Sequence, residues 1–496
     1  MAETNTPTLT PPPADRRDFA AERAALDAST RGPVLVFFSA AIFWLVVGSI
    51  FALIASTKMH TPGFTLGTQY DTFGRMRPAH LNTVIYGWAS NVGIGVLLWL
   101  MARLSRAKLI YPVVLYIAAA LWNGGIAIGT VGIIVGQSTG IEWLEFPPYI
   151  PPILASAVSI IAVWALLMFV RRREKHVYVT QWYVFAALFW FPWLYTVASL
   201  LMLYAPVRGV VQSTVNWWFA HNVLGLWFTP IGLGAAYYLI PKVIGRPIHS
   251  YYLSIVGFWS LALFYNWLGM HHLVGGPIPS WMISASIVAS ILMLIPVVAV
   301  GVNHHLTMSG HFHLLRYSPT LRFVVFGAFN YTIVSVQGSF ESLRSFHEVA
   351  HFTHYTIGHA HLGLYAFYSM VMFGSMYYIV PRLTGWEWAS GNAIRVHFWC
   401  TAVGISIYVL ALSIGGWREG YAWLNGALPN TTVAQIQVPY LWCRTIGGLL
   451  MTIGHFTFAG LFVANMLKYG MRRSGPTYFV EKATTTPERE LVAVPS

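Results

Sequence analysis

The chain has 496 residues, of which 56% are hydrophobic and only 9% charged. Soluble globular chains carry about 25% charged residues, so this composition excludes a water-soluble enzyme. A formal charge of +13 on such a chain reads as basic loops beside a bilayer rather than as a nucleic-acid surface.

In chain order, residues 1–33 form a polar arm without the apolar core of a cleaved signal. Twelve apolar runs follow, each ended by charge, Pro or Gly: 34–56, 79–101, 110–136, 148–170, 181–205, 217–240, 251–273, 281–302, 320–338, 354–380, 396–414 and 443–467. The predicted fold is an all-α polytopic membrane protein with 12 transmembrane helices. Lys and Arg collect after every second run, as at Arg103, Arg106 and Lys108 and again at Arg171, Arg172, Arg173 and Lys175. The positive-inside rule then puts both termini in the cytoplasm and makes even-numbered helices run from outside to inside. A loop at 415–442 is long enough to cover the outer face, and a mobile polar tail occupies 471–496. None of the 16 acidic residues falls within a predicted run, which argues against a transporter built on a midplane carboxylate. The two cysteines, Cys400 and Cys443, form no CxxC or CxxCH motif. A c-type haem or thiolate-bound copper therefore belongs to another chain.

The intramembrane ionisable groups are histidines. His80 opens the second run, His221 lies about one turn into the sixth, His271 and His272 sit near the outer end of the seventh, and His359 and His361 lie near the top of the tenth. One such histidine is ordinarily a hydrogen-bonded core residue. Six at one depth, from four helices, point to metal or haem ligation. His359 and His361 are about 200° apart on a helix and face opposite sides, so each serves a different partner. His271 and His272 are about 100° apart and converge on one ion with His221. Three imidazoles with an open position suit copper. His80 is left as a second axial ligand.

The strings RPAHLNTV (77–84), WWFAHN (217–222), FYNWLGMHH (264–272) and HFTHYTIGHAHLG (351–363) together resemble subunit I of the haem–copper oxygen reductases. Within these they are most similar to the C-family, the cbb3-type cytochrome c oxidases. The resemblance covers residues 34–470 and implies a haem–copper oxidase catalytic domain in a bacterial inner membrane. It implies O2 reduced to water with electrons from cytochrome c, coupled proton translocation, and membrane-anchored c-type cytochrome subunits as partners. By the same resemblance His80 and His361 are axial ligands of a low-spin haem b and His359 is the proximal ligand of a high-spin haem b3. His221, His271 and His272 hold the copper, CuB. Tyr265 matches the active-site tyrosine cross-linked to the histidine equivalent to His221. It lies seven residues before His272, about 700°, hence on the same α-helical face. Cleaving O2 takes four electrons promptly: two from the haem iron, one from copper and one from a phenol.

Tyr251 and Ser254, at −14 and −11 from Tyr265, match the family's proton channel. Arg77, Trp217 and Tyr331 match positions that bind haem propionates, and Arg444 is a further candidate. Three positions depart from the pattern. Gln337 replaces a glutamate 22 residues before His359, His354 replaces an aspartate five residues before it, and Gly257 replaces a channel histidine. The family's calcium between the propionates is left open. His304, His305, His311 and His313 read as members of a hydrated cytoplasmic loop.

The alternative in the same superfamily is a nitric oxide reductase, with non-haem iron in place of copper. Those reductases carry a glutamate ligand four residues after the first histidine of the sixth helix and lack the tyrosine. This chain has Gly225 and Tyr265 at those places, which favours the oxidase. A haem-bearing sensor or transporter leaves three copper-type histidines unexplained.

Overall fold

The structure is a computed structural model that describes residues 13–479. Among the described residues twelve helices are long and apolar enough to cross a membrane. They are α1 (Pro13–His60), α2 (Phe73–Ser105), α3 (Pro112–Ile134), α4 (Pro151–Val170), α5 (Val179–Tyr204) and α6 (Val210–Ile244). After these come α7 (Tyr251–Leu273), α8 (Ser280–Met308), α9 (Pro319–Glu341), α10 (His354–Thr384), α11 (Gly391–Leu424) and α12 (Asn430–Met466).

Burial sorts these helices. The apolar windows of α2, α6 and α10 are 94%, 83% and 83% buried, whereas no other span exceeds 50%. A helix apolar all round belongs inside a bundle, and these three carry four of the six histidines. Each is broken by a π-helical stretch just past its histidine: Thr83–Ala89 after His80, Leu224–Phe228 after His221, and Leu362–Ser369 after His361. Such bulges free backbone groups and rotate the faces below them, and they cluster at functional positions. The peripheral helices show one flank to lipid, with Phe189, Trp259, Leu263 and Trp281 exposed.

Small residues set the closest crossing. On α11 and α12, a Cβ at Gly404 would meet the Gly447 carbonyl oxygen at 2.7 Å, and one at Gly447 would meet the Gly404 oxygen at 2.6 Å. This is backbone-to-backbone packing of the kind that drives helix association where no hydrophobic gain is available.

The ends of several elements differ from the sequence reading. Residues 13–33 are not a loose arm: α1 starts at Pro13. Its Leu26, Asp27 and Thr30 are buried, and Asp27 accepts from Trp99 Nε1 at 2.9 Å and faces Arg103 at 3.6 Å. Residues 1–12 lie outside the described residues. The outer loop at 415–442 reduces to residues 425–429, because α11 and α12 both continue past the hydrocarbon as helix. Helical hydrogen bonds do not stop where hydropathy does. The same holds for α8, which runs to Met308 and takes in His304 and His305; His304 is only 3% exposed. The hydrated-loop reading survives only for the turn that carries His311 and His313. At the far end Phe479 N–H donates to Tyr317 O at 2.9 Å, and Arg472 bridges to Trp386. Residues 480–496 of the tail lie outside the described residues. Finally, acids lie in the spanning helices: besides those at the amino-terminal end of α1, such as Asp27, Glu341 ends α9 and Glu419 sits in α11, both buried.

Gly404→Val puts a branched side chain into a gap already closed at 2.7 Å. It is expected to cost about 1–3 kcal/mol by overpacking, read as a lower thermal midpoint of the detergent-solubilised protein. Gly404→Ala, with a single methyl group, should lower the midpoint less. An unchanged midpoint in the valine variant would mean that α11 and α12 are not held by this contact.

Candidate metal centre

The six histidines line one cavity of about 410 Å³, within the range of small-molecule and cofactor sites. Its walls include His80, His221, His271, His272, His359 and His361, together with Tyr265, Arg77, Trp217, Tyr331 and Arg444.

Four of the imidazoles are oriented through Nδ1. His80 Nδ1 meets Gly48 O at 3.0 Å, His361 Nδ1 meets Ile357 O at 2.9 Å, and His271 Nδ1 meets Ser290 Oγ at 2.9 Å. His359 Nδ1 lies 3.4 Å from Gln337 Oε1. Pinning one ring nitrogen fixes the tautomer and presents Nε2 as the ligand atom. His361 Nε2 meanwhile lies 3.2 Å from the Tyr408 hydroxyl, which Arg444 also engages at 2.9 Å.

One atom each from His221, His271 and His272 lies within 4.8 Å of the others. The ring centroids are 5.0 Å (221 to 271), 5.4 Å (221 to 272) and 4.4 Å (271 to 272) apart. His221 Nδ1 is buried without a partner, and His272 stacks on Trp217 at 4.2 Å and 14°. A buried, unpartnered imidazole nitrogen within a triad of neutral donors fits a borderline transition metal. The cavity, with two Nδ1-pinned histidines on the α2 and α10 sides, fits a planar macrocycle.

Tyr265 lies with its ring 4.8 Å from that of His221. The route by which it gets there differs from the sequence reading. From Tyr265 to Leu273 the chain is 3-10 rather than α, with about 3.0 residues per turn. A seven-residue spacing is then about 120° off one face, not nearly aligned. What brings tyrosine and histidine together is α6: a Cβ at Gly225, one turn past His221, would fall inside the Tyr265 ring. A side chain at 225 and a phenol at 265 exclude each other.

The proton-path residues separate. Ser254 is buried and accepts from Asn303 Nδ2 at 2.9 Å. Tyr251 instead turns away, its hydroxyl donating to Val177 O at 3.3 Å beside the His176 ring. The chain is regular α-helix from Tyr251 to Phe264, so it is the direction of the side chain and not the helical wheel that differs. Tyr331 lines the same cavity as Arg77 and Trp217 and also lies within electrostatic reach of Tyr237 and Tyr265. Arg77 is engaged by two carboxylates, Glu142 at 2.6 Å and Glu145 at 3.2 Å. Burial lifts the Glu145 carboxyl to about 7 against the pull of Arg77.

Several residues at the site were not singled out from sequence. Glu341 reaches His359 Nδ1 at 3.7 Å with one oxygen, which has no hydrogen bond, and accepts from Thr356 Oγ1 at 2.8 Å with the other. Glu341 is four residues after Gln337, so the two share a helix face; that spacing was the available signal. Glu419 accepts from both the N–H and the ring of His354, at 2.9 and 2.8 Å. His347 lies in a short helix, Arg344–Ala350, with its ring 6.5 Å from His272. Burial and neighbouring His351 push it down to about 4, so it is neutral at physiological pH.

Residues 32–450 match the family described as cytochrome c and quinol oxidase polypeptide I. The chain is 30% identical over 448 residues to the cytochrome c oxidase subunit 1 homolog of Azorhizobium caulinodans, covering 86% of this chain and 80% of that one. It is 29% identical over 435 residues to the cbb3-type cytochrome c oxidase subunit CcoN1 of Stutzerimonas stutzeri, covering 85% and 90%. Among solved structures, a heme-copper terminal oxidase dimer superposes with a TM-score of 0.71 over 95% of this chain and 89% of that one. At 16% identity that likeness speaks for the fold.

Proposed function

The chain belongs to the cytochrome c and quinol oxidase polypeptide I family, in its C-family or cbb3-type branch, as catalytic subunit I of a cytochrome c oxidase; from this we propose that it reduces O2 to water at a haem b3–copper pair and couples the reaction to proton translocation. The observation that carries the reading is the triad of imidazole donors within 4.8 Å beside a buried phenol. In this proposal His80 and His361 hold a low-spin haem b, His359 holds haem b3, and His221, His271 and His272 hold CuB. When bound, the haems and copper supply the electrons that O2 accepts. The protein's own part is to position and to deliver protons.

Tyr265 is held beside His221 with its hydroxyl buried, and it provides a proton and an electron at the site. Arg77 and Trp217, both in the cavity wall, answer haem propionates. Because Arg77 already engages Glu142 and Glu145, no calcium is assigned. Gln337 and Glu341 both address His359 Nδ1, orienting the ring and raising its basicity. By the positive-inside rule the basic ends of the spans favour cytoplasmic termini in a bacterial cell, and in this proposal protons reach Tyr265 along α7 from that side. Electrons come from cytochrome c through membrane-anchored c-type subunits, since this chain has no CxxCH. Nitric oxide reduction with non-haem iron is disfavoured by the Gly225–Tyr265 contact: a glutamate ligand at 225 has no room while the tyrosine is present.

Metal analysis of the purified protein should give one copper per two haems; a third iron and no copper would turn the assignment to the reductase. Tyr265→Phe should lower O2 reduction about 100-fold or more with the reduced, carbon monoxide-bound spectrum unchanged. Wild-type turnover in that variant removes the tyrosine from the mechanism. Glu341→Gln should lower turnover about 10–100-fold, the usual effect of losing a ligand's supporting partner. It should also weaken the iron–histidine stretch in resonance Raman spectra. An unchanged stretch would leave His359 supported by Gln337 alone.

A further inference from the structure

Between the basic end of the bundle and Tyr265 lies a pocket of buried polar groups that the site above does not use. His304, on α8, is 3% exposed, and neither of its ring nitrogens has a hydrogen-bond partner. Its ring lies 4.4 Å from that of Tyr237 on α6, which in turn stacks on Tyr183 of α5 at 5.8 Å and 17°. The hydroxyls of Tyr183, Tyr237 and Tyr331 are buried and also lack a well-formed hydrogen bond. Tyr237 faces Ser254 and Asn303, which are themselves joined at 2.9 Å. At the other end Tyr331 lies within electrostatic reach of both Tyr237 and Tyr265.

A satisfied core histidine bonds through at least one nitrogen, and buried polar atoms are paired as a rule. Three phenols and an imidazole that lack a well-formed hydrogen bond, gathered from neighbouring helices, are groups that water molecules would join. Five helices contribute: α5, α6, α7, α8 and α9. A Cβ at Gly257 on α7 would point into the same space, meeting Val300 Cγ2 at 2.9 Å and the Tyr183 hydroxyl at 3.7 Å. Val300 is one turn from His304 on α8, so the imidazole comes from the helix opposite the glycine.

We propose that His304 is the proton-relay residue of the uptake path, working through a hydrated pocket formed with Tyr183, Tyr237 and Tyr331. The proposal rests on the oxidase reading, in which protons reach Tyr265 from the basic side. The step is balanced and needs no redox partner. One ring nitrogen of the neutral imidazole accepts a proton from water near Ser254 and Asn303. The opposite nitrogen releases its own proton toward the Tyr331 and Tyr265 side, and a return of the ring or its tautomer resets the relay. Tyr237 and, on the same helix, His305 are the titratable groups facing His304, with Tyr183 stacked behind Tyr237.

The test uses the purified oxidase with its native partner subunits and compares wild type with His304→Leu, His304→Gln and Tyr183→Phe. Wild-type O2 reduction and the carbon monoxide-bound spectrum are measured first, and their failure counts against the oxidase reading rather than against His304. Expected for His304→Leu and His304→Gln is at least a tenfold loss of turnover with an unchanged carbon monoxide spectrum. Their rates should also fall more steeply as pH rises and show a larger solvent deuterium effect than wild type. Tyr183→Phe, which removes one hydroxyl and little volume, should show the same two signatures more weakly. It serves as the deciding arm if the histidine variants do not assemble. Turnover within twofold of wild type overturns the proposal. So does a loss with an unaltered pH profile and isotope effect, which would make His304 a packing residue.

Discussion

Everything in this molecule turns on how an imidazole can be kept neutral and aimed inside an apolar bundle. A ring free at both nitrogens would rotate, and a charged one would be costly to bury. The structure resolves this by pinning Nδ1 on the protein: His80 on a carbonyl of α1, His361 on a carbonyl of its own helix, His271 on Ser290, His359 near Gln337. The partners of His80, His361 and His271 are backbone carbonyls or a neutral hydroxyl, and of these four rings only His359 also has a carboxylate beside it, Glu341 at 3.7 Å. The central helices have to be buried on all sides to supply such partners, which is why α2, α6 and α10 sit inside the ring of the other nine.

Much of this was legible in the sequence, and the part that was not has a common cause. Apolar length and the alternation of basic clusters gave twelve spans in the right order. The depth of His80, His221, His271, His272, His359 and His361 followed from a rise of about 1.5 Å per residue, and all six line one cavity. Hydropathy does not report where a helix ends, so it draws α8, α11 and α12 too short and places His304 and Glu419 in loops. Helical wheels assume 100° per residue throughout. The 3-10 stretch from Tyr265 and the π-helical stretches in α2, α6 and α10 break that assumption. Tyr251 differs for another reason: its helix is regular, and its hydroxyl turns to Val177 O.

The three departures from the family pattern have a shared spatial answer. Gln337 cannot supply a carboxylate to His359, yet Glu341, one turn further along α9, approaches the same nitrogen. His354 stands where an aspartate was expected, and Glu419 on α11 brings the carboxylate to it at 2.8 Å. Gly257 carries no imidazole; its Cβ position faces Val300 and the Tyr183 hydroxyl, and His304 stands one turn beyond Val300 on α8, with its ring against Tyr237. In the first two cases a carboxylate stands near the histidine although the residue at the expected position carries none; the third is the transfer proposed above for His304.

The contact between Gly225 and Tyr265 shows why such transfers have limits. Groups around a cavity can be supplied from more than one wall, because several helices face the same volume. The space one turn past His221 has no such freedom, since the Tyr265 ring fills it and even a Cβ at 225 would overlap that ring. A ligand carboxylate on α6 and a phenol on α7 are thus alternatives for one volume. The choice between a metal site with a carboxylate and one with a redox-active tyrosine is a steric choice made at a single glycine. Here the glycine leaves room for the tyrosine, and the imidazole triad keeps three donors rather than three and a carboxylate. That donor set is neutral, which suits copper better than a harder iron ion.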